Sequence, residues 1–285
     1  MGSPAAVRPV GSLGRMTNYA ELLDDLEDEY HDLLALVAAL GADAPEWDLP
    51  TPAEGWAVRD QISHLAYFDV AAHLAVAEPQ KFALMVEAFI QQEGDPMEGH
   101  LTRGRSMTGG EVREWWERSH EGMVEVLRTA DPAVRVPWFG PPMGLLSFVS
   151  ARLMETWAHG QDVADALGAT RVPTDRLRHV AHLGVKARPF SYVVRDRELP
   201  AARIDVALVA PSGEEWTWVI GEELDGTDAA SVSGPAEAFC LVVTQRRNVA
   251  DTALIVEGDA AVDWISIAQA FAGPPGPGRS PAITV

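Results

Sequence analysis

The chain has 285 residues, 47% of them hydrophobic, which is enough to bury the core of one large domain or of two ordinary ones. It carries 42 acidic against 22 basic residues, and the net charge of −20 argues against binding to nucleic acid or to an anionic membrane. The single cysteine, Cys240, excludes an internal disulfide and favours a reducing compartment. No apolar run reaches the ~18 residues of a membrane span, so we expect a cytoplasmic protein.

Four long segments with helical spacing of apolar residues dominate the first part of the chain. They cover residues 18–40, about 57–77, 108–131 and 144–167. The first and third begin with capping-box patterns, Asn18 with Glu21 and Thr108 with Glu111. Four amphipathic helices with loops of moderate length predict a four-helix bundle over residues 16–169. Residues 1–15 are interpreted as a disordered lead or an expression scar.

Two stretches between the long helices are predicted separately. Residues 82–90 form a shorter apolar segment. Residues 94–107 contain one proline and several glycines, which favour an irregular loop.

The pattern changes after Gly168 to a mixture of shorter elements, which predicts an α+β domain over residues 170–273. We predict helices at 175–194, 235–245 and 259–271, and strands at 203–209, 215–220, 229–233 and 253–257. Pro211, Ser212 and Gly213 are typical of a hairpin turn between the first two strands. Residues 274–285, rich in proline and glycine, are predicted to form a flexible tail.

Two candidate functional residues lie in the fourth predicted helix. Glu155 and His159 are four residues apart, so a helix would place both side chains on one face, about one turn apart. His64 lies in a similar apolar setting in the second helix. We interpret His64, Glu155 and His159 as ligands of a divalent cation that would keep a fourth position open.

The spacing alone leaves ordinary interpretations open. A lone histidine is more often a core or surface residue, and a glutamate with this spacing occurs often by chance. The metal interpretation gains support because Glu155 sits among apolar residues, where an unpaired carboxylate would be costly.

Two segments, TPAEGWAVRDQISHLAYFD and RLMETWAHGQDVADALG, resemble the DinB-like, mycothiol-dependent maleylpyruvate isomerase family, as does SGPAEAFCLVVTQRR near the end. The resemblance implies a metal-binding helical bundle followed by a smaller α+β domain. It also implies that His64, Glu155 and His159 bind zinc and that a low-molecular-weight thiol such as mycothiol is a co-substrate. Within the family, the chain looks most like an actinobacterial branch without an assigned reaction.

Three further residues have proposed roles with alternatives. The resemblance implies that Arg246 meets an anionic substrate or thiol, although Arg247 is adjacent and a structural role at a helix end is equally open. Asp162 could accept the second ring N–H of His159, or lie on the surface. Cys240 lies in an apolar helix, so core packing is preferred over a nucleophilic role.

Three functions remain as hypotheses. The first is a zinc-dependent thiol S-transferase or isomerase that uses mycothiol or a relative and acts on a small electrophile. The second is a hydrolase that uses zinc and water without a thiol. The third is a non-catalytic metal-binding or regulatory protein. The sequence predicts neither the electrophile nor the oligomeric state.

Overall fold

The structure is a computed structural model that describes residues 18–91, 98–222 and 229–282. The chain divides into two compact units, one spanning Thr17–Arg171 and the other comprising the described chain from Val172 onward. The division lies beside the boundary predicted near residue 170. The lead predicted for residues 1–15 lies outside the described residues.

The first unit is built on four long helices, as the sequence predicts. Its elements are α1 (Tyr19–Ala38), α2 (Val58–Ala77), α3 (Pro79–Gln91), α4 (Glu98–Arg105), α5 (Gly109–Thr129), β1 (Arg135–Val136), β2 (Met143–Gly144) and α6 (Leu145–Leu167). Helix α2 packs against α5 and α6, and α1 packs against α6 and α5, so that the four form a bundle. Helix α2 is buried on nearly every side, which places His64 inside the bundle.

The helix ends follow the capping signals in the sequence. The Asn18 side chain accepts from the Glu21 amide at 2.9 Å, and Thr108 caps α5 in the same way through Glu111. Helix α2 begins without a side-chain N-cap, because Ala57 has no acceptor. Instead, the Asp60 carboxylate reaches back to the Ala57 amide at 2.9 Å, which satisfies one of the free N–H groups at the helix start.

Helix α4 corrects the irregular loop predicted for residues 94–107; within that stretch, the described residues from Glu98 to Arg105 are helical. Gly104, one of the glycines that argued against a helix, permits α4 to pack closely on α2, since a Cβ at this position would lie 1.8 Å from Ser63 Oγ. Arg105 Nε also donates to Asp60 Oδ1 at 3.0 Å. Tertiary contacts thus outweigh the poor helix propensity of this segment.

Trp47 is fully buried and fixes the start of α5. Its indole N–H donates to the Gly41 carbonyl at 3.0 Å, and a Cβ on Gly109 would lie 2.2 Å from its ring. We therefore expect Gly109→Ala to lower the free energy of unfolding by about 1–3 kcal/mol through overpacking. Urea denaturation would measure this loss.

Gly122→Ala, also on α5, is the matched control. The nearest atom to a Cβ there is His73 Nδ1 at 3.5 Å, an ordinary contact, so this change should leave stability equal or higher. Equal stability of the two variants would contradict the steric role of Trp47.

The second unit contains a mixed four-stranded sheet with helices. Its elements are α7 (Leu177–Lys186), α8 (Arg188–Val193), β3 (Ile204–Val209), β4 (Glu215–Ile220), β5 (Ala230–Pro235), α9 (Ala236–Val243), β6 (Ile255–Glu257) and α10 (Asp259–Ile267). The strand order is β4-β3-β5-β6, with β3 parallel to β5 and the other pairs antiparallel. The predicted hairpin between β3 and β4 is confirmed, and side chains alternate between buried and exposed along β3.

Two predicted helices of this unit are too long. The helix predicted for residues 175–194 is two helices that meet at Ala187, directly before Arg188 and Pro189; proline has no N–H to continue the helical hydrogen bonds. The last helix ends at Ile267 rather than residue 271. The described part of the tail has neither helix nor strand, and the Asn248 side chain donates to the Arg279 carbonyl at 2.8 Å.

Among the described residues, no helix combines the length and apolar character needed to cross a bilayer.

Candidate metal centre

The three side chains singled out in the sequence meet in the first unit. One ligand atom from each of His64, Glu155 and His159 lies within 4.8 Å of the others. Glu155 Oε2 is 3.2 Å from His159 Nε2 and 3.7 Å from His64 Nε2. Within the described residues, no other group of three histidine, cysteine or carboxylate side chains converges in this way.

Helices α2 and α6 position the cluster. Glu155 and His159 are one turn apart on α6, and α2 packs against this face and brings His64 to it. The two imidazole ring centroids are 4.4 Å apart. The side chains of His64 and His159 are 11% and 10% exposed, whereas the Glu155 side chain is 22% exposed, so the carboxylate is the more accessible member.

A chain of hydrogen bonds fixes the orientation of His159. The Trp56 carbonyl accepts from the Thr51 hydroxyl at 2.9 Å, and that hydroxyl oxygen accepts from Gln61 Nε2 at 2.8 Å. The Gln61 amide oxygen therefore faces His159 Nδ1, and since an amide oxygen can only accept, Nδ1 carries the hydrogen.

This tautomer leaves the lone pair of His159 Nε2 facing the Glu155 carboxylate oxygen at 3.2 Å. Two acceptors at this distance repel each other unless a proton or a metal cation lies between them. His64 Nδ1 is also buried, and the described part of the chain offers it no hydrogen-bond partner. The arrangement therefore fits a cation.

The protonation states of His64 and Glu155 also suit a bound cation. Burial is the largest cause that lowers the pKa of His64, to about 4, so this imidazole is neutral at pH 7. Burial tends to raise the pKa of Glu155, but with a proton shared among the three groups the hydrogen bonds from His159 and His64 outweigh burial and hold that pKa well below 4.5. A neutral imidazole and an ionised carboxylate are the forms that bind a metal ion.

Gln61 is the residue that accepts the hydrogen bond from His159 Nδ1, a role that the sequence pattern suggested for Asp162. Gln61 lies on α2, 98 residues from His159 in sequence, so spacing along α6 could not reveal it. Asp162 is buried, 1% exposed, and is not the surface residue of the alternative interpretation.

Aromatic rings surround the cluster. Trp56 stacks on His159 with ring centroids 5.9 Å apart, and Phe68 lies 4.6 Å from His64. His100, on α4, lies 5.3 Å from His64 and stacks on Tyr67. The sequence pattern missed His100 because its segment was predicted to be a loop.

Two arginines of the first unit, one on α2 and one on α6, are paired with carboxylates. Arg59 Nε lies 2.7 Å from Asp48 Oδ1. Arg152 is buried in the core and donates to Asp69 Oδ1 at 2.9 Å.

Arg246 and Cys240 belong to the second unit. Arg246 follows α9, and its guanidinium donates to the Thr244 carbonyl at 2.7 Å. Its predicted role at the metal centre stays a prediction. Cys240 is fully buried, and burial raises the pKa of its thiol well above 9.0, which agrees with the predicted packing role.

Known proteins are similar to the first unit and to the chain as a whole. Residues 26–164 match the mycothiol maleylpyruvate isomerase N-terminal domain. The uncharacterized proteins MT0041 and Rv0036c, from two strains of Mycobacterium tuberculosis, are each 42% identical to this chain over 265 residues, which are 93% of this chain and 100% of each relative.

Solved structures share the fold at low sequence identity. The crystal structure of the mycothiol-dependent maleylpyruvate isomerase is 16% identical, with a TM-score of 0.56, and the alignment covers 91% of this chain and 96% of that chain. A histidine-to-alanine mutant of that enzyme gives a TM-score of 0.54 at 15% identity. The predicted fold class is confirmed, and the chain belongs to the DinB-like, mycothiol-dependent maleylpyruvate isomerase family.

Proposed function

We propose that the protein is a zinc-dependent thiol S-transferase or isomerase that uses mycothiol or a related thiol and acts on a small electrophile. The observation that carries the proposal is the pair of facing acceptors, His159 Nε2 and Glu155 Oε2, 3.2 Å apart with His64 beside them. Membership of a family that includes a mycothiol-dependent isomerase supports the choice of thiol.

The residues would divide the work as follows. His64, Glu155 and His159 would hold the cation, and three nitrogen and oxygen ligands are typical of catalytic zinc sites. A bound ion of this kind acts as a Lewis acid and lowers the pKa of a coordinated thiol or water. Trp56 and Phe68 would keep bulk water from the ligands, which strengthens electrostatic interactions at the site.

An assay with purified protein separates this proposal from its alternatives. Maleylpyruvate and a panel of small electrophiles are supplied with mycothiol, without thiol, and after removal of metal by a chelator. The proposal expects turnover only when thiol and metal are both present. Turnover with metal and water alone would instead indicate a hydrolase. Absence of turnover, with a metal-dependent rise in melting temperature, would indicate a non-catalytic protein.

Gln61 provides a test of the hydrogen-bond chain. We expect Gln61→Ala to raise the dissociation constant for zinc by about 10–100-fold, because His159 loses the partner that fixes its tautomer. Competition with a chromophoric chelator would measure the change. Gln91→Ala, an exposed glutamine on α3, is the control and should bind zinc like the unmodified protein. Equal zinc affinity of the two variants would contradict the orienting role.

Arg246 is proposed to contact the anionic group of the substrate or thiol, with its neighbour Arg247 as the matched control. We expect Arg246→Ala to raise KM for an anionic electrophile or thiol about tenfold or more, consistent with the loss of one charge-assisted hydrogen bond. Arg247→Ala should change KM little. Steady-state kinetics on both variants test this, and the reverse pattern would assign the role to Arg247.

A further inference from the structure

Two polar contacts join α2 to α6 on either side of the candidate metal centre. The first is the contact between the Gln61 amide oxygen and His159 Nδ1, which we call the Gln61–His159 contact. The second is the Asp69–Arg152 pair, in which the guanidinium donates to Asp69 Oδ1 at 2.9 Å. Each contact connects segments that are distant in sequence, so each one helps to determine how α2 lies against α6.

The two contacts bracket a metal ligand on each helix. On α2, His64 lies three residues after Gln61 and five residues before Asp69. On α6, Glu155 lies three residues after Arg152 and four residues before the other contact. At a rise of about 1.5 Å per residue, the contacts are about 12 Å apart along α2 and about 10.5 Å apart along α6. The two spans nearly match, so together the contacts hold the antiparallel helices in one register.

The Asp69–Arg152 pair lies in the core of the bundle. Both residues are buried, and the second carboxylate oxygen, Asp69 Oδ2, lies 3.7 Å from His120 Nδ1 on α5. If α2 slid or rotated against α6, the guanidinium and the carboxylate would separate inside the core, where an unpaired charge is costly. The pair therefore favours one relative position of the two helices.

Stability alone does not account for this pair. Taking two charges out of water is costly, and an apolar pair of similar volume is often as stable or more stable. The pair is also incompletely hydrogen-bonded, since among the described residues Asp69 Oδ2 and Arg152 Nε have no hydrogen-bond partner. A buried polar contact of this kind can instead select one helix register over the others.

We propose that Asp69 and Arg152 are positioning residues of the metal centre. Their ion pair and the Gln61–His159 contact hold α2 and α6 in the register at which the ligand atoms of His64 and Glu155 converge. Neither Asp69 nor Arg152 belongs to the ligand set. The inference rests on the metal centre of the proposed function, and it identifies residues outside the ligand set that determine the geometry of that centre.

The zinc affinity of the double variant Asp69→Leu/Arg152→Met tests the proposal. We expect the dissociation constant for zinc to rise at least tenfold in competition with a chromophoric chelator, while circular dichroism shows that the variant is folded. Unchanged affinity in the folded variant would overturn this proposal and leave the metal centre in place. An unmodified protein that binds no zinc would overturn the metal centre, and this proposal with it.

Leu127→Ala controls for a loss of stability without a change of register. Leu127 is fully buried near the end of α5, where its carbonyl accepts from the Tyr19 hydroxyl at 2.8 Å. The substitution removes core packing and lowers the free energy of unfolding. A variant that is still folded should bind zinc like the unmodified protein. A loss of zinc affinity equal to that of the double variant would show that weakened packing alone impairs the site, and would overturn the proposal.

Arg152→Met alone is a second variant that does not depend on the folding of the first. It removes the contact with α6 and leaves Asp69 beside His120. We expect the same loss of zinc affinity. Cobalt(II) bound in place of zinc provides a second readout, because its visible absorption depends on the coordination geometry. The cobalt spectrum should change in Arg152→Met and not in Leu127→Ala; an unchanged spectrum and unchanged zinc affinity in folded Arg152→Met would overturn the proposal.

Discussion

Replacing His159 by alanine is expected to abolish both zinc binding and thiol-dependent turnover. The change removes one of three ligands, and it also breaks the hydrogen-bond chain through Gln61 that fixes the tautomer. Two donors from His64 and Glu155 do not form the three-ligand set of a catalytic zinc site. Metal content is measured by elemental analysis after dialysis, and turnover by steady-state kinetics.

A histidine outside the cluster provides the matched control for His159→Ala. His31 is exposed on α1 and is not part of the ligand cluster, so His31→Ala should retain zinc and turnover. If His159→Ala kept one zinc per chain and full activity, the three-ligand assignment would be wrong.

Asp69→Asn is expected to cause the largest loss of stability, about 3–5 kcal/mol in the free energy of unfolding. Asp69 is 1% exposed and Arg152 is 3% exposed, and their side chains meet at 2.9 Å in the bundle core. The substitution keeps the shape of the side chain but leaves the guanidinium charge buried without its counter-ion. Urea denaturation of the metal-free protein at constant pH measures the loss.

Two companion variants isolate the cause. The double variant Asp69→Leu/Arg152→Met removes both charges and should recover much of the loss, because an apolar pair avoids the cost of desolvation. Removing an exposed pair through Glu114→Ala should change stability by less than about 1 kcal/mol. A loss below 1 kcal/mol for Asp69→Asn would show that Arg152 finds another partner.

The elements that sequence could predict are those whose signals are local. Asn18 with Glu21, and Thr108 with Glu111, carry their own capping bonds, and both helices begin where these residues predict. Helix α4 could not be predicted in this way. It depends on the close approach of Gly104 to Ser63, between segments that are distant in sequence.

In the candidate site too, the residues with a local sequence signal were predictable and the one that depends on a contact between helices was not. Glu155 and His159 are recognisable from a spacing of four on one helix. His64 is recognisable from its apolar setting on another helix of the predicted bundle, and its segment's resemblance to a known family supports the choice. Gln61 was not recognisable, because its contact with His159 spans two helices. Spacing on α6 favoured Asp162, since a pattern along one helix cannot show which side chain of a neighbouring helix lies closer.

Anomalous diffraction at the zinc absorption edge, from crystals of the protein supplied with zinc, tests the central claim most directly. We predict one strong anomalous peak, from a zinc ion bound by His64, Glu155 and His159 at about 2.0–2.2 Å from each ligand atom. A map with no peak among these three side chains under excess zinc would contradict the account.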